Sequence, residues 1–477
     1  MATGEPADSL LGQLQRGTGL GFLRALQEDV AVVEPLLLDC VLHDPRWDRQ
    51  LEYRSDYYAA LITQFNLSLE PLEAYLRLCA EDDSDDDENS PYDSESLVLS
   101  TLCDLAIRGN RSALAIGRAY LTYGRDWKTV FETLIEIPGT PLSIDEMSRV
   151  IEQRFPADDM LSDELAFVAT APYTPQQSWQ SLRRANARVD RILREHEQGV
   201  ERRQQLATQR REQFAELSTA ALLVEVVDHQ SAIMAAPLMQ KCATSSDLDL
   251  LLHLAQQGPT QQRIVALRGL QQLAHPASFP LLRAFFSSPE AEPGSLYGAA
   301  VRAICALPAE ITLELARAWF DETRDPYHHV ALNILEAHAT AADVERVRNA
   351  LLPSLERDTS STNESYMQCG MLEILARFPQ AGPYPEAEMI FQQAHYARAR
   401  TRAAKVLVAS ERDAFAHSLA LECLWDCEED TRRIGCDTVD LTIADAVAKV
   451  QTLANDPHEE VVVHDAARTR LILWKSS

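Results

Sequence analysis

Lysine is nearly missing from this chain. Lys128, Lys241, Lys405, Lys449 and Lys475 are the only five among 44 basic residues, which leaves 44 − 5 = 39 arginines. With abundant Ala and Leu, that bias points to a GC-rich bacterial coding sequence. Glycine is also scarce, with 17 in 477 residues. That scarcity argues against glycine-rich phosphate loops and against all-β folds, which use glycine at their turns. No apolar run approaches the 18 or so residues that span a bilayer, and the first residues lack a basic-then-apolar leader pattern. A cytoplasmic protein without membrane contact is therefore expected. The chain has no G-x-S-x-G, no H-E-x-x-H, no phosphate-loop pattern and no H-x-E with paired cysteines. No catalytic residue and no cofactor is assigned on these grounds.

The nine cysteines are scattered, odd in number and contain no C-x-x-C. They read as reduced thiols within apolar stripes. Cys423, Cys427 and Cys436, with His417 upstream, are the nearest thing to a ligand set. Their spacing is wider than structural zinc sites use, so no metal is assigned. His328-His329 opens a helix whose neighbouring side chains point apart, and packing is the expected role.

Positive charge is the other shortage: the formal net charge is −28. A chain so acidic repels phosphate backbones overall, which makes nucleic acid an improbable partner and a protein the expected one. The deficit is uneven. Residues 1–175 hold 13 basic and 32 acidic side chains, while residues 176–218 hold nine arginines and six carboxylates.

What the chain does have is a repeating pattern. Arg263-Ile-Val-Ala-Leu-Arg-Gly-Leu270, Val330-Ala-Leu-Asn-Ile-Leu335, Arg398 to Leu407, Thr431-Arg-Arg-Ile-Gly435 and Val462 to Leu473 are similar apolar helical segments. Breaks such as His275-Pro276, Asp325-Pro326 and Asp456-Pro457 lie between copies. Proline stops a helix at or before the residue that precedes it. The later helix of each pair starts near residues 262, 297, 327, 367, 398, 431 and 462, a spacing of 30 to 40 residues. In the last copy the predicted inward stripe is Val462, Ala466, Leu471 and Leu473, with small Ala467 beside it. Units of this kind cannot bury their apolar faces alone and must stack. The pattern resembles HEAT and armadillo helical repeats, most of all short bacterial HEAT-like repeats. The resemblance implies an all-α chain with an α-solenoid of HEAT-like helix pairs over 228–477. It implies little about function beyond binding.

The remainder also reads as helical. Residues 1–170 form a predicted helical lobe, with degenerate copies of the repeat as one reading, interrupted by an acidic loop at 81–95. Seven of the eight residues Glu81–Glu88 are acidic, and self-repulsion should keep them extended. Arg46 to Ile62 is predicted as a helix with Leu51, Tyr58, Leu61 and Ile62 on its apolar face. Asp48, Glu52 and Asp56 then fall one turn apart, with Arg49 and Arg54 among them. That spacing suits either a solvated face of intrahelical ion pairs, which is expected, or a carboxylate-plus-arginine site. Three apolar stripes follow between Ser96 and Ile137, and Ser143-Ile-Asp-Glu146 has the form of a capping box.

Ala171-Pro-Tyr-Thr-Pro175 is the best internal boundary. From Gln176 to Val227 there is no proline, so residues 171–227 are predicted as a long Arg-rich connecting helix or a broken hairpin. Leu182, Val189, Ile192, Leu193, Val200 and Leu206 are its apolar anchors. Arg183, Arg184, Arg188, Arg191, Arg194, Arg202 and Arg203 are the candidate partner-binding residues. The segment reads as a connector, a docking surface for an acidic protein or nucleic acid, or a cap. The function expected from the whole chain is a protein–protein scaffold, adaptor or regulatory subunit holding a partner on the concave face of the repeats. The alternatives are a nucleic-acid-acting protein that uses the Arg-rich helix and an enzyme without a recognisable motif.

Overall fold

The computed structural model describes residues 5–81, 92–137, 139–166, 176–288, 294–322, 327–356 and 362–475. These residues form 28 α-helices and four short 3-10 turns, with no strand among them. Among them, no helix is long and apolar enough to cross a membrane. The acidic run from Asp82 onward and the boundary at Ala171–Pro175 lie outside the described residues.

Several helix starts are set by side chains that satisfy otherwise unpaired backbone N–H groups. Asn110 accepts from the N–H groups of Ser112 and Ala113. Ser143 and Glu146 form the reciprocal capping box expected from their spacing. Asp228 and Ser231 form another. The helices expected near 262, 297, 327, 367, 398, 431 and 462 start at Thr260, Ser295, Tyr327, Thr362, Ala397, Glu429 and Val461.

The chain divides into two compact units. One comprises Met1–Gln198, Pro353–Ser365 and Gly382–Ser477; the other comprises Gly199–Leu352 and Tyr366–Ala381. In the first unit, Val30–Leu42 and Ser55–Phe65 pack on Tyr92–Ile107, and Arg111–Tyr123 and Trp127–Glu136 follow as neighbours. Leu37, Tyr58, Leu61, Leu97, Tyr120 and Phe131 are all at or near zero exposure in one continuous core. The same unit holds Ala397–Ser418, Glu429–Thr438 and Val461–Lys475, packed in succession. Gly19 lies flush against the chain at Glu422: a Cβ there would sit 1.7 Å from the Glu422 carbonyl oxygen. Next to it the Cys427 N–H donates to the Gly17 carbonyl at 2.9 Å.

Three expectations are corrected in this region. No helix spans Arg46 to Ile62; it begins only at Ser55. The Glu52 carboxylate instead accepts from the N–H groups of Trp47 and Asp48 at 2.7 and 2.9 Å, which curls 47–52 into a loop. In the last helix, Val463 and Ala467 face inward, while Val462 and Leu473 are 47% and 57% exposed. Val463 and Ala467 are one turn apart and meet the two preceding helices, and this rotation turns the longer side chains outward. The Arg-rich segment takes the broken rather than the continuous form of the two expected, as Gln176–Ala185, Ala187–Ala215 and Thr219–Val224, and it is the anchor Leu206 that is corrected. Asn186 interrupts it by accepting the Val189 N–H, and Ser218 caps the last piece. Leu206 is 60% exposed and anchors nothing.

In the second unit, Thr260–Leu273 packs against His229–Cys242 before it and Ser295–Cys305 after it, and Ser295–Cys305 packs on Tyr327–His338. Leu248–Gln257 and Ala309–Asp321 pair with the helices that follow them. Gly269 permits the close approach: a Cβ there would lie 2.9 Å from a Leu251 methyl and 3.1 Å from Met239.

Candidate functional site

The later helices of the second unit share one burial pattern. Val265-Ala-Leu is buried, Arg268 is not, and Gly269-Leu270 is buried again. Ala299-Ala-Val, Arg302 and Ala303-Ile304 repeat it, as do Val330-Ala-Leu, Asn333 and Ile334-Leu335, and Gly370-Met-Leu, Glu373 and Ile374-Leu375. Each helix thus lifts one polar side chain out of its packed stripe at the same position. That is what a 3.6-residue period does when the stripe faces neighbours on both sides.

The first two rungs open onto a groove of about 300 Å³ built from three successive helices. His229–Cys242 supplies Ile233, Pro237 and Gln240; Thr260–Leu273 supplies Gln261, Ile264 and Arg268; Ser295–Cys305 supplies Arg302. Ile233 is 54% exposed. Arg268 donates to Gln271 Oε1 at 3.1 Å, and neither Arg268 nor Arg302 has a carboxylate within ion-pair distance among the described residues. Burial, and then the like charge of Arg302, pull the Arg268 pKa below the ordinary guanidinium value. The Gln261 Oε1 is buried without a hydrogen-bond partner. The groove therefore combines an apolar floor with two guanidinia that have no carboxylate partner among the described residues.

No protein-family model, curated protein or solved structure matches the chain. The site is therefore read from its own chemistry.

The arginines singled out from the sequence are mostly engaged. Arg183 pairs with Asp190 at 3.1 Å and with Glu197. Arg188 reaches Asp158 at 2.6 Å, Arg191 holds the same carboxylate, and Arg194 pairs with Asp190. Arg184, Arg202 and Arg203 are exposed. Arg268 and Arg302 were not among these seven. The signal for the latter pair was available: the copies had to be aligned position by position, not merely counted.

The carboxylate-plus-arginine motif of the first unit is a buried cluster. Glu52, Arg54 and Arg400 are fully buried, and Arg16 and Asp426 are 4% and 3% exposed. Glu52 accepts from Arg54 at 2.7 Å and from the Ala397 N–H at 3.0 Å. Arg54 also donates to the carbonyls of Gln15 and His395, and Arg16 to the carbonyl of Gln393. Burial disfavours the charge on Glu52, but Arg54 and two N–H groups more than offset it and lower its pKa. Burial and three arginines push His395 down to about 3, so it is a neutral imidazole beside Arg16 at 2.7 Å. Cys427 lies against Gly17 and Arg400, and Cys423 against Gly435. Both thiols are pushed up by burial. The rings of His328 and His329 lie tilted against Phe320 and Tyr297, with centroids 4.5 and 6.3 Å apart.

Beside the cluster lies a cleft of about 200 Å³ between Ser55–Phe65, the end of Tyr92–Ile107, and the segments around Trp425 and Lys449. Its charges are largely paired. Arg108 bridges Asp56 at 2.7 Å and Asp456 at 2.9 Å, and Arg432 grips Glu459 at 2.7 Å.

Proposed function

We propose that the chain is a protein-binding scaffold or adaptor, built from HEAT-like helix pairs stacked as a solenoid, whose second unit holds an acidic segment of a partner protein. The observation that carries this reading is the groove with Arg268 and Arg302. In a chain with 28 more negative than positive formal charges, two neighbouring guanidinia that have no carboxylate within ion-pair distance among the described residues, on a partly apolar floor, suit carboxylates from elsewhere. The succession of Thr260–Leu273, Ser295–Cys305 and Tyr327–His338 supports the stacked arrangement. A bacterial, cytoplasmic setting fits the composition. The engaged state of Arg183, Arg188, Arg191 and Arg194 weighs against the Arg-rich helix as a nucleic-acid surface.

The test uses a fluorescein-labelled peptide helix with Glu on one face and Leu on the other, followed by anisotropy. The wild-type protein should bind it more tightly at 0.05 M than at 0.3 M salt, and Arg268→Glu with Arg302→Glu should weaken binding at least tenfold. Equal binding by the double variant, or tighter binding of a labelled DNA duplex than of the peptide, would overturn the reading.

A further inference from the structure

Of the five lysines, four have ordinary settings. Lys128 pairs with Glu164 at 2.8 Å, Lys405 lies 3.8 Å from Asp430, and Lys241 and Lys475 are exposed. Lys449 differs. Its side chain enters the cleft of the first unit, and its ammonium lies 5.2 Å from the centre of the Trp425 ring. Among the described residues it has no hydrogen bond and no carboxylate within ion-pair distance.

The groups around Lys449 decide its state. Asp56, Asp456 and Glu459 favour the ammonium, but each is held by a guanidinium, Arg108 or Arg432. Asp426 faces Arg400 at 3.4 Å. Trp425 also favours the cation through its ring face. Burial opposes it, and so does Arg432, which Glu459 and the carbonyls of Asp426 and Cys427 fix in place. Burial and then Arg432 prevail, so the Lys449 pKa lies below the ordinary lysine value. A desolvated lysine beside a second cation is the arrangement that activates an amine towards carbonyl carbon. Phe22, Leu424, Leu453 and Trp425 supply apolar wall, while the carboxylates in the lining disfavour an anion.

We propose that Lys449 is a carbonyl-reactive amine and that this cleft takes a small neutral aldehyde or ketone. The Lys449 nitrogen lone pair attacks the carbonyl carbon, and the carbonyl electron pair moves to oxygen. Proton transfer from nitrogen to oxygen gives the carbinolamine. Loss of the hydroxyl as water, carrying away the second N–H proton, leaves the C=N bond. The net change is amine plus carbonyl to imine plus water, without oxidant or reductant.

The scarcity of lysine makes the test clean. The full-length protein is treated at pH 7 with limiting benzaldehyde and sodium cyanoborohydride, which reduces the imine to a stable secondary amine. Peptide mass spectrometry then gives the occupancy at each lysine. The expected result is labelling of Lys449 at least tenfold faster than of exposed Lys241 and Lys475, saturating as benzaldehyde is raised. Labelling that follows exposure, with Lys449 spared, overturns the proposal. So does labelling of Lys449 that rises linearly with benzaldehyde, because a cleft that holds the carbonyl must saturate.

Discussion

Glu52 shows how one carboxylate can organise its surroundings. It holds two loop N–H groups, the Arg54 guanidinium and the N–H that opens the Ala397 helix. Removing one partner of a buried pair leaves the other charge uncompensated and costs about 3–5 kcal/mol. Glu52→Gln and Arg54→Met should each lower the urea midpoint correspondingly, whereas Arg184→Ala on the exposed helix face should leave it within error. A pH effect belongs here too. Glu422 and Glu428 are pushed up to about 7 by burial, with Asp426 adding to it. A folded pKa above the unfolded one gives stability that is complete below about 4.5 and is lost as pH rises through about 7. His395 acts oppositely, because its folded value of about 3 lies below the unfolded one and stability falls as pH drops below about 6.5. The thermal midpoint should therefore fall between pH 6 and pH 8, and the Glu422→Gln, Glu428→Gln variant should flatten that slope. An unchanged slope would show that other groups dominate it.

At the scale of elements, the sequence was informative where a period was long and weak where a contact was distant. Starts predicted near 262, 297, 327, 398, 431 and 462 lie within two residues of observed helix starts, because breakers and apolar spacing act locally. The stretch Arg46–Arg54 misled for the opposite reason. Its charges have good helical spacing, but the partners that pull Glu52 and Arg54 inward lie more than 340 residues away. Local pattern cannot register them. The last helix was misread in rotation, since Val462 and Val463 are equally apolar and only the neighbouring helices choose between them. Gly19 is a direct probe of the long-range packing. Gly19→Ala should cost about 1–3 kcal/mol through overpacking against Glu422. Gly199→Ala, in a helix with only the tip of Arg203 nearby at 3.7 Å, should be neutral or stabilise by about 0.5–1 kcal/mol. Urea melts of the two variants should therefore separate in opposite directions.

For the molecule as a whole, the interleaving of the first unit is the decisive property. Residues 382–477 belong with Met1–Gln198, although 183 residues separate them (382 − 198 − 1 = 183). Deleting residues 382–477 (477 − 381 = 96) removes two partners of Arg16, the Gln393 carbonyl and His395, and one partner each of Glu52 and Arg54. The fragment 1–381 should lose amide-exchange protection throughout Leu10–Phe65. Protection in Thr260–Leu273 and Ser295–Cys305 should persist, because their packing partners remain. Uniform loss across both regions would show that the units unfold together.

The bond between Glu52 and the Ala397 N–H joins residues 345 apart in the chain. A ribosome adding about 5–20 residues per second needs roughly 17–70 s to make the second partner after the first. Throughout that interval the nascent chain carries Arg16, Glu52 and Arg54 without the backbone groups that later enclose them. The helices between Leu10 and Phe65 stay unfinished until the Ala397 helix has been made.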